Sequence, residues 1–178
     1  MTALKVIDPS TATGPAAELL AAVQKSLGVT PTMTKAMANS PALLRGYLDL
    51  SAALNNGTFS AAVRERLALA IAQDNACSYC LSAHTYLAEH VAKIDADEIA
   101  AARKADSHDV KVAALLAFAT TVNQTRGAVD DADLVAVRAA GATDEEIAET
   151  IGHVALNVLT NYFNKAANVD IDFPPVEV

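Results

Sequence analysis

The sequence predicts an all-α protein. Apolar residues recur at three- and four-residue spacing along most of its length. Ser, Thr and Asp residues stand where helix N-caps are needed, and Pro or Gly marks most of the breaks. No stretch alternates polar and apolar residues between hairpin-type turn dipeptides. Nothing of linker composition divides the chain, so residues 1–178 read as a single helical domain with residues 1–14 as an N-terminal arm.

The elements follow in order. Pro15 suits the first turn of a helix that carries Leu19, Leu20, Val23 and Leu27 on one face and stops at Gly28. Thr30-Pro31 restarts a short helix with Met33 and Met37. Ser40-Pro41 opens another, with Leu43, Leu44, Tyr47, Leu50 and Leu54 at helical spacing and Asn55-Asn56-Gly57 at its end. Ser60 caps a helix over about 61–74, which Asn75 ends, and a second long helix runs from about Cys77 to Val91. Asp95 to Glu98 resembles a capping box for a short helix ending near Lys104. Ser107 is the predicted start of the next helix, which Gly127 breaks. Asp130-Asp131 opens a short helix ending at Gly141, and Thr143 to Glu146 is a capping box for the last helix, about 144–167. The tail from Asp170 to Pro175 is predicted extended.

Composition narrows the function. Hydrophobic residues make up 52% and charged residues 19%, enough for a real core. A mean hydropathy of +0.24 points to an apolar face buried between subunits. The net charge of −8 and the lack of a Lys/Arg run argue against nucleic acid. No apolar run has membrane-spanning length, and the first residues lack the apolar centre of a signal peptide, so the expected setting is a reducing cytoplasm. There a close cysteine pair is catalytic or metal-binding rather than a structural staple.

That pair is the chemical centre of the sequence. Cys77 and Cys80 are the only cysteines; Glu65 lies twelve residues before the first and His84 four residues after the second. Cysteines at i and i+3 in the first turn of a helix can form a disulfide with little movement, and the helix N-terminus lowers a thiol pKa. His84 lies one turn beyond Cys80 on the same face, within reach of its sulfur. If the two helices pack antiparallel across Asn75, Glu65 comes nearer His84 or Cys80 than Cys77, where a carboxylate can serve as general base. Alternatives remain. Cys77, Cys80 and His84 supply three zinc ligands but no fourth lies nearby, since His90 points elsewhere. Two inert buried thiols, and a Glu65 on a solvated face, are the bland readings. A thioredoxin-type domain is excluded because no βαβ pattern surrounds the cysteines.

Glu, eleven residues, Cys-x-x-Cys, three residues, His resembles the active-site pattern of the carboxymuconolactone decarboxylase-like superfamily, in its alkylhydroperoxidase D-like, peroxidase-related branch. Arg64 to Ala70 and Cys77 to Thr85 are both similar to that branch. So are Ser40 to Leu44, Gly57 to Ser60, Arg126-Gly127, Gly141 to Asp144 and Asn161 to Asn164. The resemblance covers about residues 30–172. It implies an all-helical fold that assembles into homo-oligomers, trimers or hexamers, and a peroxidase cycle with no flavin, haem or metal cofactor. Carried over, Cys80 is the peroxidatic sulfur, Cys77 the resolving one, and Glu65 and His84 the proton relay. The implied partners are a hydroperoxide substrate and an external dithiol reductant of lipoyl or thioredoxin type.

One position departs. The residue before the second cysteine is a histidine in alkylhydroperoxidase D and Tyr79 here, and a phenol cannot replace imidazole as a neutral-pH proton carrier. A general thiol–disulfide oxidoreductase with little peroxidase activity is therefore the alternative enzyme. A structural or zinc-stabilised helical oligomer is the alternative from another class. Finally, His153, Asn157 and Asn161 form a polar stripe on the last helix, read first as a hydrogen-bonded seam and second as a pocket lining.

Overall fold

Nine helices and no strands form the computed structural model, which describes residues 1–178. They are α1 (Gly14–Leu27), α2 (Thr32–Met37), α3 (Pro41–Asn55), α4 (Ala61–Asp74), α5 (Ser78–His90), α6 (Ala96–Ala102), α7 (Val110–Thr125), α8 (Asp131–Ala139) and α9 (Asp144–Ala166). The all-α prediction holds. None of the helices is long and apolar enough to cross a membrane.

The predicted caps account for most boundaries. Ser40, Ser60 and Thr143 each accept from the backbone N–H three residues on, and Thr143 with Glu146 forms a reciprocal box. Gly28 closes α1 in the left-handed region at φ 75°. Two starts differ from expectation. Asp109, not Ser107, caps α7, because its carboxylate reaches the N–H groups of both Lys111 and Val112. Asp95 accepts from Glu98 N, but the Glu98 carboxylate does not reach back; it turns to Ser107 and His108 instead.

The fold is arranged around α4. Six consecutive residues, Leu67 to Ala72, are buried, so this helix is apolar on all sides at its centre. It packs against α5, α7, α9 and α6. Alanines at 68, 70 and 72 let those neighbours approach closely. The α4–α5 turn is tied from several directions. Ala76 takes the left-handed conformation at φ 49°, and Cys77 N returns to Ala72 O at 2.9 Å. Asn75 donates to Asn161 Oδ1 at 3.0 Å and accepts from Lys165 Nζ at 2.6 Å.

Both chain ends lie along the bundle. Ala3 N donates to Ala167 O, and the Met1 amino group pairs with Asp170 at 3.0 Å. The extended tail crosses α2 and α5. Asp172 accepts from Thr32 N and Oγ1 and from the Tyr79 hydroxyl, and Val176 N donates to Ser82 Oγ at 2.9 Å.

Candidate active site

The α4–α5 hairpin brings together the four residues singled out from the sequence. Cys77 is the N-cap of α5, and its sulfur accepts from Cys80 N at 3.3 Å. Cys80 sits in the first turn, both thiols are free, and both residues are buried. One turn further on the same face, His84 Nδ1 lies 2.8 Å from Glu65 Oε2. Glu65 therefore meets the histidine and not Cys77, as the antiparallel packing of α4 and α5 requires.

The electrostatics follow from this placement. The Cys77 thiol is held below its ordinary value, first by the hydrogen bond from the Cys80 thiol, against the penalty of burial, and then by the Cys80 N–H and the charges of His84 and Lys165. Cys80 is pushed up, first by giving that hydrogen bond and then by burial and the neighbouring sulfur. Burial alone lowers His84, but the charge and hydrogen bond of Glu65 outweigh it and raise the imidazole above its ordinary value.

Cys80 and His84 face a cavity of about 350 Å³ with a mainly apolar lining. Met33, Tyr47, Leu87 and Phe173 form much of its wall, and Leu27, Val29 and Val91 stand exposed at its rim. Cys77 is absent from that wall. It borders a separate, more polar cavity of about 310 Å³ with Lys165 and Asn168. No group of three or more His, Cys, Asp or Glu side chains is arranged to hold a metal ion.

Three residues join the site from outside the motif. Asn164 is buried, and its amide donates to Cys80 Sγ at 3.3 Å and Met33 Sδ at 3.2 Å. It stands three residues beyond Asn161, so the polar stripe of α9 runs on to the sulfur. At the other end of that stripe, Asn157 donates back to His153 O within α9, and the His153 ring packs on Phe59 with its Nε2 unbonded; of the three stripe residues, Asn161 makes the hydrogen bond to another part of the chain, accepting from Asn75. Tyr47, from α3, and Phe173, from the tail, had no sequence signal beyond an apolar position. Tyr79 is fully committed elsewhere: its hydroxyl donates to Asp172 at 2.8 Å, and burial followed by that carboxylate pushes the phenol up.

With this geometry in view, the comparison with known proteins is specific. Residues 41–124 match the model of the Carboxymuconolactone decarboxylase family. That is the family the cysteine motif resembles, and the matched segment contains Glu65, Cys77, Cys80 and His84. The fold is that of the alkylhydroperoxidase D core. The alkylhydroperoxidase AhpD core of an uncharacterized peroxidase-related protein from Ralstonia eutropha JMP134 has a TM-score of 0.84 at 22% identity, over 96% of this chain and 92% of that one. A peroxidase-related protein from Silicibacter sp. TM1040 has a TM-score of 0.80 at 22% identity, over 98% of this chain and 92% of its own. The debrominase Bmp8, solved in complex with 2,3,4-tribromopyrrole, has a TM-score of 0.73 at 18% identity, over 87% of this chain and 84% of its own. No curated protein matches the sequence.

Proposed function

We propose that this protein is a thiol-dependent peroxidase that reduces hydroperoxides through a Cys77/Cys80 dithiol–disulfide cycle. The observation that carries this reading is Cys80 facing a closed-in apolar cavity beside a Glu65–His84 pair of 2.8 Å. The peroxidase-related neighbours of the same fold support it.

In this reading His84, oriented by Glu65, takes the Cys80 proton. The Cys80 sulfur attacks one peroxide oxygen, the O–O bond breaks, and the sulfur becomes a sulfenic acid. Asn164 holds the sulfur by its amide throughout. The Cys77 sulfur then attacks the Cys80 sulfur; the S–S bond forms as the S–O bond breaks, and the departing hydroxide combines with the Cys77 thiol proton or one from solvent to leave as water. An external dithiol of lipoyl or thioredoxin type returns both thiols. We further propose a homo-oligomer, trimer or hexamer, in a reducing cytoplasm; the exposed Ile151 and Tyr162 on α9 support assembly.

The test is hydroperoxide consumption by the purified protein with dihydrolipoamide and with a thioredoxin system. Turnover with either, lost in Cys80→Ser and stalled after one oxidation in Cys77→Ser, is the expected result. No consumption with any dithiol, or full activity in Cys80→Ser, overturns the reading. The debrominase of the same fold makes a second measurement worthwhile: rapid disulfide turnover without peroxide turnover in one preparation makes the protein a general thiol–disulfide oxidoreductase.

A further inference from the structure

The cavity in front of Cys80 contains a recessed hydroxyl that nothing in the motif accounts for. Tyr47 projects from α3 into the same wall as Cys80 and His84, with its ring packed on the core. Of the other polar groups there, the Tyr86 hydroxyl also lacks a protein partner but belongs to an exposed side chain, and the unpaired Asn164 Oδ1 is an acceptor rather than a donor; the remaining side chains are engaged by the protein. Tyr79 donates to Asp172, Asn164 to the two sulfurs, Thr160 to Asn157 O, and His84 is held by Glu65. The Tyr47 hydroxyl has no protein partner. It is nonetheless close enough to Cys80 and Glu65 to feel the charge of both: burial first, and then these two charges, push its phenol up to about 12. It therefore stays protonated, and a donor, at any pH near neutral.

An unpartnered donor in an apolar cavity next to a nucleophile has a chemical use where negative charge develops on a substrate. Building on the peroxidase reading, we propose that Tyr47 is a catalytic residue whose hydroxyl donates a hydrogen bond to the departing peroxide oxygen while the Cys80 sulfur attacks the other one. The S–O bond forms as the O–O bond breaks. Sulfur gives up two electrons and becomes the sulfenic acid, and the oxygen on the organic side leaves as an alkoxide. The Tyr47 O–H holds that alkoxide, and the imidazolium of His84, carrying the proton from Cys80, delivers it to release the alcohol. Tyr47 ends the step neutral. This supplies from α3 the oxygen-side donor that Tyr79, bound to Asp172, cannot provide.

The test is the single-turnover oxidation of wild type and Tyr47→Phe, which keeps the ring and its packing and removes only the unpartnered hydroxyl. Two oxidants differ in leaving group: tert-butyl hydroperoxide expels a strongly basic alkoxide, and peracetic acid expels a weakly basic carboxylate. Alkylation of Cys80 by iodoacetamide, read in the Cys77→Ser background with and without Tyr47→Phe, is the control, since iodide leaves and no oxygen is involved. We expect Tyr47→Phe to slow oxidation by tert-butyl hydroperoxide about 10- to 100-fold, the worth of one hydrogen bond to a charged oxygen. Oxidation by peracetic acid and alkylation are expected to stay within about 3-fold of the corresponding protein with Tyr47. A Tyr47→Phe variant that reacts with tert-butyl hydroperoxide at the wild-type rate overturns the proposal. So does equal slowing with all three reagents, which marks a structural role. If Cys80 is alkylated readily in Cys77→Ser yet neither peroxide oxidises wild type, the peroxidase reading falls and takes the Tyr47 role with it.

Discussion

Glu65 meets His84 at 2.8 Å, and Glu98 meets His108 at 3.1 Å. The pairs look alike, but their surroundings differ. Glu98, in the first turn of α6, is buried against the α6–α7 connection: it accepts from the Ser107 hydroxyl and from His108 N at 3.1 Å, and pairs with Arg66 Nε at 3.2 Å and the His108 ring. Burial raises such a carboxyl, but the Ser107 and His108 hydrogen bonds and the Arg66 charge together hold Glu98 below the ordinary carboxylate range. Glu65 has a single partner, and that partner lines the cavity together with Cys80. A carboxylate bonded to two groups of one connection and paired with an arginine fastens a turn. A carboxylate with one bond to a histidine beside a thiol is free to tune a proton transfer.

Substitutions that exchange these roles break the comparison if it is wrong. The largest effect is expected at His84→Ala, which removes the proton acceptor proposed for Cys80 and on that reading lowers kcat/KM for hydroperoxide by about 10²- to 10⁴-fold. Its thermal midpoint is expected to stay close to wild type. Steady-state kinetics beside a melting curve checks both, and a large fall in the midpoint assigns the pair to stability instead. The converse is Glu98→Ala, which leaves Arg66 without its buried partner. It is expected to cost about 2–4 kcal/mol, or about 4–16 °C in Tm, with the activity of the folded protein unchanged.

The pH responses sharpen the contrast. His84 is raised in the fold, so its interaction with Glu65 stabilises fully below the unfolded imidazole value of about 6.5 and fades as pH rises through the folded value. In the proposed cycle the neutral ring is the active form, so the acidic limb of kcat/KM is expected above about 6.5. Glu65→Gln removes the group that raises His84, burial then dominates, and the limb moves to lower pH. An unmoved limb separates Glu65 from the relay. Glu98 is lowered, so its contribution is present above the unfolded value of about 4.3 and is lost as pH falls through the folded one. Acid unfolding of Glu98→Gln is thus expected to be flatter than that of wild type across this range. The smallest effect is expected at His108→Ala: the ring is 76% exposed, and its loss is worth less than about 1 kcal/mol by denaturant titration.

The fold was legible where local chemistry decides it. Ser40, Ser60 and Thr143 stand at helix starts because a hydroxyl there satisfies an orphan N–H, and that signal needs no tertiary context. Asp109 displaced Ser107 because two candidate caps two residues apart differ only in which backbone groups they reach. Ala76 gave no sign of its left-handed backbone, which the Asn161 and Lys165 contacts to Asn75 help to impose. The same division runs through the site. Glu65, Cys77, Cys80 and His84 share one hairpin, so their spacing carried the information. Asn164 and Phe173 arrive from 84 or more positions away from Cys80, with nothing local to mark them. Tyr79 read as a gap in a relay, but its acceptor, Asp172, lies 93 residues along the chain.

The crossing of the tail over α5 has a practical side. Asp172 pins the tail to Tyr79 and Thr32, and Phe173 is both a cavity wall and an edge-on neighbour of Tyr79, with ring centroids 6.0 Å apart. Val178 is therefore only five residues downstream of the cavity wall. A dye or spin label attached there rides on the strand that frames the entrance. Such a probe offers a direct optical or magnetic readout of occupancy.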